Sequence, residues 1–216
     1  FRDNRDENQR IDNSRRHLVK IGGNYVFTGY LQDAADFQIR LLSFNPATKE
    51  VSTLYTFNDP IDHIEAIDIV KNPTSGGFYA SASQCFGTSQ ADKVSLFYFN
   101  DDGALIWRKE LADSYLCDRG VGNAQPTKIY HNIGYLQAQS GTEYVYVKTA
   151  VNEDIDLRQF SMLFADANTG DLAFSNLYDD VQVVFDGTGS DLQTGMPVLV
   201  YTDEQDSLLL ETINFT

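Results

Sequence analysis

Three histidines, two cysteines and two short acidic turns are the residues of this chain whose types could do chemistry. His17, His63 and His131 each fall at or near the start of a predicted strand, so strands converging on one axis would gather three imidazoles, a metal-ligating set. Ordinary strand-end histidines are the simpler reading. Asp62 and Glu65 sit beside His63, but alternation along a strand sends them to different sides, which weakens any triad. The turns Asp166-Ala-Asn-Thr-Gly-Asp171 and Asn152-Glu-Asp-Ile-Asp156 crowd oxygen donors as hard cations prefer, making Asp166, Asn168 and Asp171 candidate calcium ligands. Neither turn carries the distal glutamate of an EF-hand, and Asp and Asn also stabilise turns by bonding their own backbone.

Other chemical signatures are missing from the sequence. There is no Gly-x-Ser-x-Gly before a helix, no Walker loop, no dinucleotide fingerprint and no His-Glu-x-x-His. The glycine-rich run Asp186-Gly-Thr-Gly-Ser-Asp191 lacks the lysine and following helix that a phosphate site needs, and is expected to be a flexible loop. No catalytic residues and no organic cofactor are therefore expected. Cys85 and Cys117 have a spacing that fits no zinc, haem or redox motif, so a disulfide and two buried thiols compete. Asn214-Phe215-Thr216 is an N-glycosylation pattern, which signifies only in a secreted protein. Together these favour an extracellular or cell-surface location.

Composition narrows the partners. The 216 residues carry 31 acids against 16 bases, a net charge of −15, which disfavours phosphate-backbone binding and so excludes nucleic acid. The acidity is uneven, because residues 151–216 hold one base, Arg158, against 13 acids. Solvated loops account for this most simply, while a surface for cations or a basic partner is the sharper alternative. No apolar run approaches the length of a membrane span, and the longest, such as Val94 to Phe99, are strand-sized. The chain opens on Phe1 without an apolar leader, which suggests a processed product or a piece of something longer.

The elements that must position these residues are strands. Residues 1–16 read as a polar arm, which has no core of its own and would be held by the body or another subunit. From His17 onward, runs rich in Tyr, Phe, Val, Ile and Thr alternate with polar residues and break at Gly, Asn, Asp or Pro. The region around Asn152 to Phe160 is the one candidate exception, a short helical turn or equally well a loop. Three hairpins superpose without gaps: Leu42 to Ser52, Phe97 to Trp107, and Phe164 to Phe174, with Gly103 and Gly170 in register where a turn needs positive φ. Strands extended outward from each give four-stranded units at about 17–60, 61–112 and 126–179, and three strands in 180–216. In that last unit Val181 to Phe185 is the expected first strand. The fold class is thus all-β, a β-propeller of four-stranded antiparallel blades with about three and three quarters blades present, incomplete or truncated.

The third hairpin resembles the tryptophan-docking repeat of pyrroloquinoline-quinone-type propellers, quinoprotein-like enzymes. Asp166, Thr169 and Gly170 match the pattern, while Phe174 replaces its tryptophan and Phe164 its alanine. In the second unit Gly103 and Trp107 match, with Phe99 at the position of the acid, and the first unit keeps only the shape. The resemblance implies the propeller architecture; its cofactor is not implied by so partial a motif.

Propellers close with four to eight blades, so an arc of this size exposes sheet edges unless something covers them. A four-bladed ring closed by the N-terminal segment, completion by another chain, or membership of a longer protein would each solve this, and the last two are preferred. The resulting expectation is a non-enzymatic structural or binding module in a larger assembly, with protein partners or self-association. The alternatives are part of a propeller enzyme, a dehydrogenase or hydrolase whose active site lies elsewhere, and a calcium-dependent carbohydrate-binding module.

Overall fold

The computed structural model describes residues 18–33, 36–57, 63–85, 93–112, 129–138, 140–152, 158–178, 188–190, 197–202 and 208–212. These form antiparallel meanders. The first sheet contains β1 (Leu18–Ile21), β2 (Asn24–Asp33), β3 (Asp36–Asn45) and β4 (Glu50–Phe57) in that order. The second contains β5 (His63–Lys71), β6 (Phe78–Cys85), β7 (Lys93–Phe99) and β8 (Leu105–Ala112). The third contains β9 (Ile129–Gln137), β10 (Glu143–Asn152), β11 (Arg158–Asp166) and β12 (Leu172–Tyr178). A fourth, three-stranded sheet comprises β13 (Thr188–Ser190), β14 (Pro197–Thr202) and β15 (Leu208–Thr212). No helix occurs among the described residues.

The three complete sheets stack face to face as consecutive propeller blades do, and closure into a ring is not seen among the described residues. β5 lies beside β1 on one side and β9 on the other, so the first strands of the three complete sheets are neighbours. Strand alternation then divides the core in two. Phe78, Ala80, Ala82, Phe97 and Phe99 of the second sheet pack against Val19, Ile21, Val26, Leu41 and Phe57 of the first. Tyr79, Val94, Leu96 and Leu111 point the other way, onto Ile133, Val145, Val147, Leu163 and Ala165 of the third. A sheet covered on both faces needs apolar residues at successive positions, which is why Val94 to Phe99 reads as an almost unbroken apolar run. Edge-to-face contacts tie the first seam: the Phe57 and Phe97 rings lie 5.0 Å apart at 86°, and Tyr55 and Phe99 5.4 Å apart at 68°. Each such pair adds roughly 0.5–1.5 kcal/mol beyond its burial.

The hairpins share one device. Asn45 Oδ1 accepts from the backbone nitrogens of Ala47 and Thr48, Asn100 Oδ1 from Asp102 and Ala104, and Asp166 Oδ1 from Asn168 and Thr169. This corrects the gap-free superposition, in which Phe99 took the place of the acid. The loops differ in length: Gly170 N–H bonds back to Asp166 and Lys49 N–H to Asn45, four residues earlier, whereas Gly103 N–H bonds to Asn100, three earlier. All three closing residues have positive φ, 62° at Lys49, 80° at Gly103 and 73° at Gly170.

Two further expectations change. In the region proposed as a helical turn, Asn152 and Arg158 to Phe160 are strand, because they continue the β10–β11 ladder as Asn152↔Arg158 and Ala150↔Phe160. In the glycine-rich run, Thr188–Ser190 pairs with β14 as a short strand. Val181 to Phe185 lies outside the described residues.

Glycine substitutions separate backbone strain from packing. Gly22 has φ 55° and open space where a β-carbon would go, so Gly22→Ala is expected to cost about 1–2 kcal/mol. At Gly170 a β-carbon would lie 2.6 Å from Trp107 Cζ3 and 2.8 Å from Lys109 Cγ, so Gly170→Ala adds an overpacking cost of about 1–3 kcal/mol. Urea unfolding of the two variants tests the order; equal losses would mean that Trp107 is not seated on Gly170.

Candidate functional site

The densest set of polar side chains lies in the seam between the second and third sheets. Its inner end is held by Asp68, a buried carboxylate on β5. Oδ1 accepts from the backbone N–H of Ile69 at 2.8 Å, and Oδ2 from that of Ile133 on β9 at 3.0 Å. β9 is the edge strand of its sheet, so its outward N–H groups have no ladder partner; Asp68 satisfies one from the neighbouring sheet. The sequence did carry a signal for this residue, a lone acid within Ile67-Asp68-Ile69-Val70, where burial demands hydrogen-bond partners.

Toward the turns the seam becomes a hydroxyl and amide network. Tyr79 O–H donates to the Ala167 carbonyl at 2.9 Å and accepts from Asn72 Nδ2 at 2.7 Å. Asn72 also donates to Ser75 Oγ at 2.5 Å, while its Oδ1 accepts from the nitrogens of Thr74 and Ser75. Thr74 and Tyr135 share a hydroxyl hydrogen bond of 2.9 Å, and Tyr98 O–H donates to the Gly76 carbonyl at 3.0 Å. The rings pack at a tilt behind these groups, with Tyr79 4.9 Å from Tyr98 and 6.0 Å from Trp107. At the outer end Trp107 Nε1 donates to the Asn168 carbonyl at 3.1 Å, its ring lying over Gly170, and Lys109 pairs with Asp171 at 2.7 Å.

Burial, with the nearby Tyr98 and Tyr135, raises the Tyr79 phenol well above its ordinary value of 10.0. Burial also raises Tyr135, against the lowering effect of its bond to Thr74. At neutral pH both phenols keep their protons, so the seam offers hydroxyl donors and acceptors and no phenolate base. The hydrogen bond from Lys109 lowers the exposed Asp171 carboxyl.

The candidate calcium ligands are therefore placed among protein donors. Asp166 Oδ1 closes its own turn, the Asn168 carbonyl receives the indole, and Asp171 Oδ1 receives the lysine. Among the described residues no three His, Cys, Asp or Glu side chains gather into a group able to hold a metal. By backbone, His63 opens β5 opposite Cys85, and His131 lies on β9 opposite Thr149, so the two histidines are on adjoining inner strands. His17, Asp62, Cys117 and Asn214 lie outside the described residues, and Glu65 falls where β5 shifts register against β6. Among the described residues no helix is long and apolar enough to cross a membrane. No protein-family model and no curated protein matches this chain.

Two measurements probe this seam. A phenol whose folded pKa lies above its unfolded value adds stability that is complete below about pH 10 and is lost as pH rises through the folded value. Tyr79→Phe, which leaves the Ala167 carbonyl without its donor, should lose roughly 1–3 kcal/mol at neutral pH and decline less steeply than the parent in alkaline urea titrations. An unchanged alkaline profile would contradict the seam's dependence on this hydroxyl. Chelation by EDTA should leave the melting temperature where it is; a fall that added calcium reverses would place a cation in the hairpin instead.

Proposed function

We propose that this chain is a structural or binding module of propeller type, which works by presenting sheet faces to protein partners in an assembly at or outside the cell surface. One observation carries the reading, a contrast between the two ends of the stack. On the outer face of the third sheet Met162 and Phe164 are fully buried, with Phe164 stacked 4.4 Å from Phe174 and Tyr146 laid across Gly134. On the outer face of the first sheet Leu18 is 57% exposed, and Tyr25, Phe27 and Leu42 are only half-buried. Four apolar side chains held side by side on a rigid sheet are the usual form of an interaction surface rather than a reaction site. The polar groups of the seam support the same view, since they bond to one another and lock the sheets. We further read the blades as degenerate relatives of quinoprotein-type repeats, on the strength of Trp107 seated over Gly170 of the next hairpin. That kinship concerns packing, and the enzyme chemistry of such proteins does not enter the reading.

Hydroxyl-radical footprinting of the protein as isolated from its source tests the face. Leu18 and Ile106 have nearly equal exposure in the single chain, 57% and 55%. In the assembly Leu18, Tyr25 and Phe27 should be labelled several-fold less than Ile106; equal labelling would overturn the reading. The mass of the native polypeptide, with and without reduction and deglycosylation, checks the location through the Cys85–Cys117 bridge and the Asn214 glycan.

A further inference from the structure

We propose that the seam between the second and third sheets is a radical relay: a diffusing one-electron oxidant, such as an organic peroxyl radical, takes an electron at Trp107, and the hole passes through Tyr79 to rest on Tyr135. The activity is that of a one-electron reductant, and it goes beyond the binding role proposed above. A row of oxidisable rings provides the path. The Trp107 ring lies 6.0 Å from that of Tyr79, and the Tyr79 ring lies 6.3 Å from that of Tyr135, within 20° of parallel. Tyr98 adds a second branch, 5.7 Å from Trp107 and 4.9 Å from Tyr79. Such centroid separations are those of aromatic rings packed directly on one another, so an electron crosses from ring to ring without a stretch of saturated chain between them.

Entry falls at the indole. Trp107 is the single tryptophan of the chain and is half-buried, whereas Tyr79 behind it is 1% exposed. An indole gives up an electron without first losing its proton, which a phenol does not do readily.

Proton transfer decides where the hole stops. A phenol is oxidised easily only when its proton leaves with the electron, and that requires a base on its hydroxyl. Tyr79 O–H donates to the Ala167 carbonyl and Tyr98 O–H to that of Gly76, and an amide carbonyl is no base. Trp107 Nε1–H likewise meets the Asn168 carbonyl. These three rings can pass a hole on but have no acceptor with which to keep it. Tyr135 is different. Its cross-strand partner is Val145, so Glu143, two residues earlier on β10, lies on the same face, and the Glu143 carboxylate accepts from the Tyr135 hydroxyl. With that proton engaged, Thr74 Oγ1 is the donor in its 2.9 Å bond to the phenol oxygen. The oxygen that becomes the radical thus has a base to take its proton and a donor to hold it in place.

The step balances. The oxidant gains one electron; Tyr135 loses one electron and its phenolic proton; Glu143 takes the proton. A phenol and a carboxylate become a neutral tyrosyl radical and a carboxylic acid, and no bond between heavy atoms forms or breaks.

Flash photolysis of the purified chain, with photo-oxidised ruthenium tris-bipyridine as the one-electron oxidant, tests the relay. The visible band of a tryptophanyl radical can come only from Trp107, and it should decay as the near-ultraviolet band of a tyrosyl radical rises. Tyr135→Phe should abolish that rise and lengthen the life of the indole radical. Glu143→Gln keeps the side chain's shape and removes the base, so it should slow the hand-over about a hundredfold, and it remains a test should Tyr135→Phe fail to fold. Trp107→Phe should lower the tyrosyl yield. An indole radical that decays in the parent with no tyrosyl rise would overturn the proposal, as would a rise that persists in Tyr135→Phe or keeps its rate in Glu143→Gln. An undiminished tyrosyl yield in Trp107→Phe would equally overturn it, because the tyrosines would then be oxidised directly.

Discussion

The inner strands of the middle sheet have no face to give to water, and the rest of the fold follows from that constraint. The apolar side chains described on β6 and β7 enter one of two cores, so the sheets before and after have to lie parallel to it at a spacing that fits Phe97 on one side and Leu96 on the other. Stacking of this kind creates a second problem at the inner edge, where the first strand of each sheet has unpaired backbone groups. Asp68 solves it between the second and third sheets by lending a carboxylate across the gap to Ile133. The charge is buried, but its oxygens are hydrogen-bonded, which is the condition under which burial of a carboxylate is tolerated.

The outer rim is held by a different device with the same purpose. A side chain of one sheet's last strand sits on the next sheet's hairpin, Leu54 on Gly103 and Trp107 on Gly170. Glycine does two things there, adopting positive φ and leaving space for its visitor. At the first hairpin, where no such visitor is seen among the described residues, the conformation remains and the glycine does not, since Lys49 holds φ at 62°. The difference between these hairpins marks the first sheet as the end of the docking series within the chain.

Much of the fold was legible. Period-two alternation and the turn residues give the strands, because each half-buried strand must sort its side chains by face. Glycine register sets the hairpins off by one, whereas the shared physical role is that of Asn45, Asn100 and Asp166 in capping the turn. The sequence leaves the role of Asp166, Asn168 and Asp171 open, because an oxygen-rich turn has the same composition whether its carboxylates meet a cation, a backbone amide or Lys109.

Alternation and turn residues alone specify most of the strands and the hairpins that join them, since these depend on contacts between residues close in the chain. Only the tertiary structure decided which units meet and through which groups. The bonds from Tyr79 to Ala167, from Asp68 to Ile133 and from Trp107 to Asn168 join residues 88, 65 and 61 positions apart. Nothing local marks such partners, because a tyrosine, an acid or a tryptophan acquires its role from the neighbouring sheet that folding brings against it.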